Sequence, residues 1–153
     1  MDKSISFNTE QEVIAFCQSR SKKAARGGRF SDAIGLMGFT HQVLHDREGR
    51  VKLDRWVPNL IPTVGKALVA GLMFSDLALT ACDHMAIGIG TGAAAAGDTT
   101  LGSEITTNGG QRVAGTGTRV TTTVTNDTGQ LVAAWTFSGT FAVTEAGILN
   151  ASS

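Results

Sequence analysis

The sequence predicts a mainly β protein: an antiparallel β-sandwich or flattened barrel with one or two short helices and an N-terminal extension. Two observations predict this fold class. From Met85 onward, 15 of 69 residues are Thr and 12 are Gly, a composition typical of short strands and turns. Over residues 131–143, the odd positions are apolar or Gly and several even positions are Thr or Ser, which is the period of a strand with one buried face.

The distribution of charge indicates two chemically different parts. The first 84 residues hold eleven Lys or Arg and nine Asp or Glu, whereas the remainder holds two Arg and four acidic residues. The formal net charge of zero argues against a protein that coats nucleic acid or an acidic membrane. We expect residues 1–34 to form an N-terminal helix and basic arm, acting as an anchor or linker, and residues 35–153 to form the β-sandwich domain.

The N-terminal segment begins with a helix signal. Thr9 and Glu12 have the spacing of a capping box, and apolar residues up to Cys17 supply one face of a short helix. Five basic residues follow: Arg20, Lys22, Lys23, Arg26 and Arg29. They form either a solvated linker or an arm that binds an acidic partner surface. Nucleic acid is a weaker alternative, because no aromatic residue lies between the charges to stack on bases.

Residues 35–60 have the pattern of a β-hairpin. Two apolar-containing runs flank the segment DREGR, in which Gly49 can adopt a positive φ. The alternation of the second run slips near Arg55, which predicts a bulge there. Pro58 is expected to end the strand, and Pro62 to open a helix over TVGKALVAGLMF.

Two further strands are expected in the second half of the chain. The run RVTTTVT predicts a strand over residues 119–125, followed by a turn over residues 126–129. The alternating run over residues 131–143 predicts the next strand, with Gly139 at a kink or bulge. The predicted core residues are Trp56, Leu131, Trp135, Phe137, Phe141 and Val143.

The segment GAAAAGDT, residues 92–99, partly matches two nucleotide-binding motifs. A P-loop requires Lys where this chain has Asp98, which would place a negative charge against the phosphates. A dinucleotide fold requires a long helix after GTGAAA, but Gly97 and Asp98 interrupt it, and no acidic residue has the ribose-binding spacing. The segment is therefore interpreted as a loop between strands, and no nucleotide or other cofactor is expected.

The histidines do not predict a metal or catalytic site. His41 and His45 are expected on a strand, where they would lie about 13 Å apart, too far to bind one ion. The tripeptide of Cys82, Asp83 and His84 contains a thiol, a carboxylate and an imidazole. Because consecutive strand residues face opposite sides, we expect these three groups not to converge.

Cysteine content and hydropathy limit the cellular setting. Two cysteines, Cys17 and Cys82, are too few for a disulfide framework, so free packing thiols are expected, with a bridge between them as the alternative. The longest apolar stretch is interrupted by Lys66 and Gly71, and MDKSISFNTEQEV lacks the apolar core of a signal peptide. We therefore expect no membrane association and synthesis in a cytoplasm.

Four segments carry a resemblance to a family of tailed-bacteriophage virion proteins. They are WVPNLIPTVGKALVAGLM, MAIGIGTGAAAAGDTTLGSEI, the Arg- and Thr-rich strand and WTFSGTFAVTEAGILNASS. The family's hairpin ends in N-L-[IV]-x-x-x-G, and its later motifs are IGTG, A-A-x-x-D-T-x-L-x-x-E and E-A-G-[IL]-x-N-A. The resemblance covers residues 38–153 and implies that Asp98, Leu101 and Glu104 are loop and cap residues. Family members usually continue into one or two further strands, so either the sequence is partial or a partner subunit completes the sheet.

The resemblance implies a structural protein of the virion, without catalysis, made in the cytoplasm of the bacterial host. It would be a capsid decoration or head- or neck-associated protein that assembles in multiple copies through its N-terminal arm and sheet edges. Its partners would be capsid, portal, neck or tail subunits and further copies of itself. The alternatives are a tail-fibre or baseplate component that binds a receptor or carbohydrate, and an enzyme, for which no catalytic set of residues is found in the sequence.

Overall fold

The computed structural model describes residues 7, 9–24, 36–73 and 79–150, which form two helices and seven strands. The helices are α1 (Glu10–Ala24) and α2 (Thr63–Met73). The strands are β1 (Gly38–His45), β2 (Val51–Asn59), β3 (His84–Gly88), β4 (Val113–Ala114), β5 (Thr116–Val120), β6 (Thr128–Val132) and β7 (Glu145–Leu149). All strand pairs are antiparallel, so the predicted mainly β fold with two short helices is confirmed.

The chain forms two compact units, Met1–Ile61 and Pro62–Ser153. The first contains the β1–β2 hairpin, and the second contains a sheet of order β4-β3-β7 and a separate β5–β6 hairpin. The extensive contacts between described strands run within these sheets. Face-to-face stacking of two sheets, which would define a sandwich or flattened barrel, therefore stays a prediction. The anchor function of residues 1–34 also stays a prediction.

The predicted hairpin of residues 35–60 is confirmed, with a tight turn closed by Asp46, but β2 continues through Pro58 to Asn59 instead of ending at Pro58. Its carboxylate accepts the backbone N–H groups of Glu48 and Arg50, at 3.0 and 2.9 Å, and Gly49 has a φ of +79°. Leu44 pairs with Leu53 and His45 with Val51, so Lys52 is the extra residue of a bulge. The predicted bulge at Arg55 is therefore wrong in position, because Arg55 pairs regularly with Gln42.

The capping box of α1 is confirmed. Thr9 N donates to the Glu12 carboxylate at 3.4 Å, and Glu12 N donates to Thr9 Oγ1 at 3.3 Å. The helix continues to Ala24, so the expectation of a helix ending near Cys17 is wrong. The segment that follows Cys17 is rich in Ser, Lys, Arg and Ala and contains neither Gly nor Pro before Gly27, so it extends the helix.

Aromatic contacts attach the start of the chain to the hairpin. Phe7 exchanges two backbone hydrogen bonds of 3.1 Å with Trp56 on the outer edge of β2. The rings of Phe7, Phe16 and Phe39 form a triangle with centroid separations of 5.3, 5.8 and 6.3 Å. This cluster gives α1 a packing surface that a helix of its length needs in water. The sequence patterns did not predict it.

The second unit begins with α2, whose first helical residue is Thr63, one position after the Pro62 that was expected to open the helix. The carbonyl of Ala96 accepts the N–H of Thr63 at 2.8 Å and so satisfies one of the free donors of the helix start. Ala96 lies in the loop of residues 92–99, where Asp98 accepts the N–H of Ala95 at 2.7 Å. The loop interpretation of GAAAAGDT is confirmed.

The buried centre of the second unit lies at β3. Ala86 and Ile87 in this strand are buried, and so is Ile105, whose N–H donates to the Ile87 carbonyl at 2.9 Å. β7 pairs with β3 along its whole length, whereas on the other edge β4 pairs with His84 and Met85 at the start of the strand. In the first unit, the buried hydrophobic residue among those described is Val13 of α1.

The strand expected over residues 119–125 is wrong beyond Val120, where β5 ends. Asp127 accepts backbone N–H groups from Thr122, Thr123 and Val124 at 2.9 to 3.0 Å. This carboxylate bends the chain into a loop, and Asn126 takes a φ of 61°. The β-branched residues favour a strand, but hydrogen bonds to the Asp127 carboxylate hold this segment in a loop instead.

The strand expected over residues 131–143 is also wrong beyond Val132, where β6 ends. The chain remains tied down by single hydrogen bonds: Trp135 Nε1 donates to the Gln111 carbonyl at 2.9 Å, and Ser138 N donates to the Asn108 carbonyl at 3.0 Å. Odd positions are half-buried and even positions exposed from Leu131 to Thr136. The alternating pattern therefore reflects a segment that buries one face. It does not show that the segment pairs with a neighbouring strand.

Candidate functional site

The three later motifs of the resemblance meet at one side chain, the carboxylate of Glu145. This residue begins β7 and pairs with Gly88 of β3. Its Oε1 accepts the N–H groups of Gly90 at 2.9 Å and Ser103 at 2.7 Å, and its Oε2 accepts the N–H of Gly102 at 2.9 Å. We call this arrangement the Glu145 cradle. It joins IGTG, TLGSE and EAG, which are far apart in the sequence.

The glycines of the cradle leave room for the carboxylate and for nothing else. A Cβ placed on Gly90 would lie 2.5 Å from Glu145 Oε1, and a Cβ on Gly88 would lie 2.5 Å from the Ser103 carbonyl oxygen. Both separations are shorter than real Cβ contacts allow. Glycine is therefore required at these two positions for close approach.

Thr144, the residue before Glu145, also bonds to the segment that follows β3. Its N–H donates to the Gly88 carbonyl at 3.0 Å, and its hydroxyl donates to the Gly90 carbonyl at 2.6 Å. Ile89 N also donates to the Ser103 carbonyl at 2.8 Å. The ends of the loop between β3 and residue 103 are therefore fixed by both backbone and side-chain bonds.

The electrostatics of the cradle favour the ionised form of the carboxylate. Burial raises the pKa of Glu145, but the N–H groups of Ser103, Gly102 and Gly90 more than offset this and hold the pKa below its ordinary value. A carboxylate that accepts three N–H bonds has its charge stabilised and its lone pairs engaged. Such a group acts as a structural acceptor rather than as a proton carrier.

Two of the three residues that the resemblance implies as loop and cap residues, Leu101 and Glu104, lie beside the cradle. Glu104 pairs with Arg112 through bonds of 2.6 and 2.8 Å, and both side chains are largely buried. The hydrogen bond from Arg112 to Glu104 raises the pKa of Arg112 further. Leu101 packs close to Gly147 of β7, where an added Cβ would lie 3.1 Å from Leu101 Cδ2. These contacts brace the loop.

A second carboxylate organises the loop between β5 and β6. Asp127 accepts the hydroxyls of Thr123 at 2.6 Å and Thr122 at 2.9 Å, besides the backbone donors described above. Hydrogen bonds from Thr123, Thr122 and Val124 hold the pKa of Asp127 far below its ordinary range. The loop is thus a closed network, although Val124 at its tip is 67% exposed.

His41 and His45 lie on β1, as predicted. His41 Nε2 lies 2.7 Å from Asp54 Oδ1, and its ring stacks on Trp56 with a centroid separation of 4.3 Å. Among the described residues, no group of three or more metal-binding side chains is close enough to hold an ion.

The tripeptide at residues 82–84 converges in part, contrary to the prediction. Asp83 Oδ1 lies 2.6 Å from His84 Nδ1, because Asp83 precedes β3 and is free of the strand alternation. Burial, followed by the charge of Asp83, raises the pKa of Cys82, which favours the thiol over the nucleophilic thiolate. Cys82 is free, and the Cys17 side chain lies outside the described part of the chain.

The predicted anchor residues have different positions. Arg20, Lys22 and Lys23 lie in the second half of α1, so a linker conformation is wrong for them. Their side chains lie outside the described residues, and Arg26 and Arg29 lie outside them entirely. The binding role of the arm stays a prediction.

None of the predicted core residues is among the buried hydrophobic residues described. Trp56, Leu131, Trp135 and Phe141 are half-buried, whereas Phe137 and Val143 are 37% and 38% exposed. The buried set of Ala86, Ile87 and Ile105 was missed because its segments are short and glycine-rich. The continuous apolar start of MAIGIG was the available signal, since a central strand shows no alternation.

No described helix is both long and apolar enough to cross a membrane. Comparisons of the chain with protein-family models, with curated proteins and with solved structures each found no match. The geometry around Glu145 and the distribution of exposed apolar side chains therefore carry the functional interpretation.

Proposed function

We propose that this protein is a non-enzymatic structural protein of a tailed-bacteriophage virion. It is a capsid decoration or head- or neck-associated protein that assembles in multiple copies through its N-terminal arm and its sheet edges. Its partners are other virion proteins, namely capsid, portal, neck or tail subunits, and further copies of the same chain. It binds no nucleotide or cofactor in this role.

The observation that carries the proposal is the amount of apolar surface left uncovered in each unit. Among the described residues, four hydrophobic side chains are buried, whereas seventeen large ones are exposed. A monomeric domain of this length ordinarily buries about 70% of the surface that its unfolded chain exposes, and large hydrophobic side chains form its core. A chain with 42% hydrophobic residues and so small a described core is suited to complete its burial against partner subunits.

The sheets give the same indication. Two of the three sheets formed by described residues have only two strands. An isolated two-stranded hairpin is marginally stable in water, and its outer edges offer unpaired N–H and C=O groups. Addition of a partner strand satisfies these groups and extends the sheet.

The Glu145 cradle supports a structural rather than a chemical role for the motifs on which the resemblance to virion proteins rests. Its three hydrogen bonds run from the backbone N–H groups of Gly90, Gly102 and Ser103 to the Glu145 carboxylate and so fix the positions of these segments. Carbohydrate binding at a fibre tip has less support, because such sites use exposed aromatic faces. Trp135 is half-buried and its indole N–H is engaged by Gln111.

The proposal is tested on particles of the phage that encodes the chain. An antiserum against the purified protein should detect it in density-gradient-purified particles and label the head or neck in immunogold images. Deletion of the gene should remove the label and lower particle yield or stability. Absence of the protein from washed, intact particles would contradict the proposal, and labelling of fibre tips would favour the tail-fibre alternative.

A further inference from the structure

The outer edge of β1 is exposed and carries no charge. The ten residues from Leu36 to His45 contain no Asp, Glu, Lys, Arg or Pro. Within this run, Val43 and Leu44 are 43% and 47% exposed. A long, uncharged edge strand is the kind that pairs with another chain, because nothing on it opposes strand addition.

The other edge of the same hairpin is protected. β2 carries Lys52, Asp54 and Arg55 near its exposed end and Pro58 near the other. Phe7 occupies the outer edge of this strand at Trp56 through two backbone hydrogen bonds. Charges, Pro and a covering segment are the devices by which proteins block edge pairing. The asymmetry between the two edges indicates that β1 is the edge kept open for a partner.

The direction of the backbone groups on β1 follows from the Phe7 contact. Because the N–H and C=O of Trp56 bond to Phe7, they point away from β1, and His41 opposite Trp56 is in a non-hydrogen-bonded pair. His41 therefore directs its own N–H and C=O towards the open edge, and by alternation Phe39 and Val43 do the same. No described residue is seen to bond to these six groups.

We propose that β1 pairs antiparallel with β1 of a second copy about a twofold axis, forming a four-stranded sheet of order β2-β1-β1-β2. This inference rests on the proposed function only for the premise that several copies assemble. The second copy is the occupant that fits best, because it supplies an equally long, uncharged strand. A twofold pairing also consumes both open edges, whereas head-to-tail addition leaves one open at each end.

Two registers near the middle of β1 are compatible with the pairing, because the outward-pointing N–H and C=O groups of the two strands must face each other. One is centred on His41 and the other on Gln42. Centring on His41 would place the two imidazoles opposite each other, although each already bonds its own Asp54. Centring on Gln42 instead places Val43 beside the partner's His41 and Leu44 beside the partner's Thr40. We assign the Gln42 register, which pairs the strand from Phe39 to His45.

Cysteine cross-linking tests the register directly. In a Cys17→Ser, Cys82→Ser background, Gln42→Cys should form a disulfide-linked dimer on mild oxidation. The two Gln42 Cα atoms would lie about 4.5 Å apart in a non-hydrogen-bonded pair, within the range of a disulfide. Arg55→Cys is the matched control, because it removes the other partner of the Arg55–Gln42 hydrogen bond of 2.8 Å. Its copies would be separated by three strand spacings, about 14 Å.

A second pair of variants tests pairing at the outer edge of β1 without cross-linking. Val43→Lys places a charge on the open strand, and Val51→Lys places the same charge on the protected one. Both side chains are exposed, at 43% and 57%, so neither change should unfold the hairpin. We expect Val43→Lys to raise the dimer dissociation constant about tenfold or more, because symmetry counts each lost cross-strand pair twice. Val51→Lys should match the wild type in sedimentation velocity.

The outcomes separate this inference from the proposed function. Cross-linking of Gln42→Cys without that of Arg55→Cys supports the dimer, and equal cross-linking of the two overturns it. A monomer at every concentration, with β1 protected from hydrogen exchange, would also overturn it and assign the edge to another segment of the same chain. Because these measurements use purified full-length protein, a dimer that never enters particles would leave the inference standing and contradict the virion role.

Discussion

Glu145 joins three segments of the second unit through its side chain. Its carboxylate accepts N–H groups from residues 42 to 55 positions earlier in the chain. Bonds over such separations hold together segments that would otherwise gain entropy by separating. The requirement for glycine at residues 88 and 90 follows from the same carboxylate, so the motifs are one physical unit.

Glu145→Gln tests the cradle with a change of one atom. A glutamine has one acceptor oxygen, and its amide would face an N–H donor, so at least one backbone donor would lose its partner. We expect a loss of about 1–3 kcal/mol in the free energy of unfolding, measured with urea. Glu48→Gln is the control, because that carboxylate lies on the exposed turn of the hairpin. An equal loss in both variants would contradict the role of the cradle.

The stability difference between the wild type and Glu145→Gln should depend on pH. The pKa of Glu145 is below its ordinary value of 4.5 in the folded protein. Its contribution to stability is therefore complete above that ordinary value and is lost as the pH falls through the lower folded pKa. The difference in unfolding free energy between wild type and Glu145→Gln should shrink as the pH is lowered from neutral to about 3. A constant difference across this range would contradict the assigned ionisation.

Gly90→Ala tests the space beside the carboxylate. The new methyl group would lie 2.5 Å from Glu145 Oε1, so the carboxylate or the loop must move. We expect a loss of about 1–3 kcal/mol in urea unfolding, the usual cost of overpacking. Gly92→Ala, where nothing lies within 4 Å, should be close to neutral. A neutral Gly90→Ala would show that the loop has room to relax.

At the scale of elements, side-chain acceptors and single hydrogen bonds decide where strands end. β5 ends because Asp127 takes up the N–H groups of the following threonines. β6 ends at Val132, opposite Thr116, at the point where its partner strand begins. The segment beyond keeps one face against the protein through Trp135 but pairs with none of the described strands.

Trp135→Ala and Thr136→Ala test this one-sided burial. Trp135 is half-buried and donates to Gln111, whereas Thr136 is exposed. We expect Trp135→Ala to lower the unfolding free energy by about 2–3 kcal/mol, somewhat less than a fully buried aromatic residue would. Thr136→Ala should cost less than about 0.5 kcal/mol. Similar costs in urea unfolding would contradict the assignment of the inner face.

At the scale of the whole molecule, the chain combines a neutral net charge with a basic run at residues 20–29. Because the net charge is zero, the protein as a whole is not attracted to polyanions. The basic run can therefore attract an acidic partner surface only at short range. The aromatic cluster of Phe7, Phe16 and Phe39 holds α1 on the hairpin. The basic residues of α1 are thereby carried on a packed element rather than on a free tail.

Charge reversal tests the anchor role. Lys22→Glu, Lys23→Glu and Arg26→Glu together should reduce incorporation into particles, and added salt should weaken attachment of the wild type. The control reverses three exposed charges elsewhere, Arg47, Lys52 and Lys66, with the same change in net charge. Full occupancy of the arm variant in purified particles would contradict the anchor role. Deletion of residues 1–34 is a poorer test, because it also removes Phe7 and Phe16 from the hairpin.

Sequence patterns determined the features that depend on neighbouring residues. The fold class followed from composition and alternation, and the hairpin from its Gly49 turn. The capping box of Thr9 and Glu12 and the loop at residues 92–99 were equally local. For the hairpin turn, the capping box and the loop, the stabilising partners lie within a few positions of each other, so the sequence contains the whole interaction.

Only the tertiary structure decided the features built from distant residues. The Glu145 cradle, the Phe7 contact with Trp56 and the burial of Ile87 with Ile105 join segments that no periodicity connects. The segment of residues 131–143 had the alternation of a strand but pairs with no described strand beyond Val132. A sequence records which face of a segment is apolar, whereas a strand also needs a neighbour with matching backbone groups, and that neighbour is supplied by the fold.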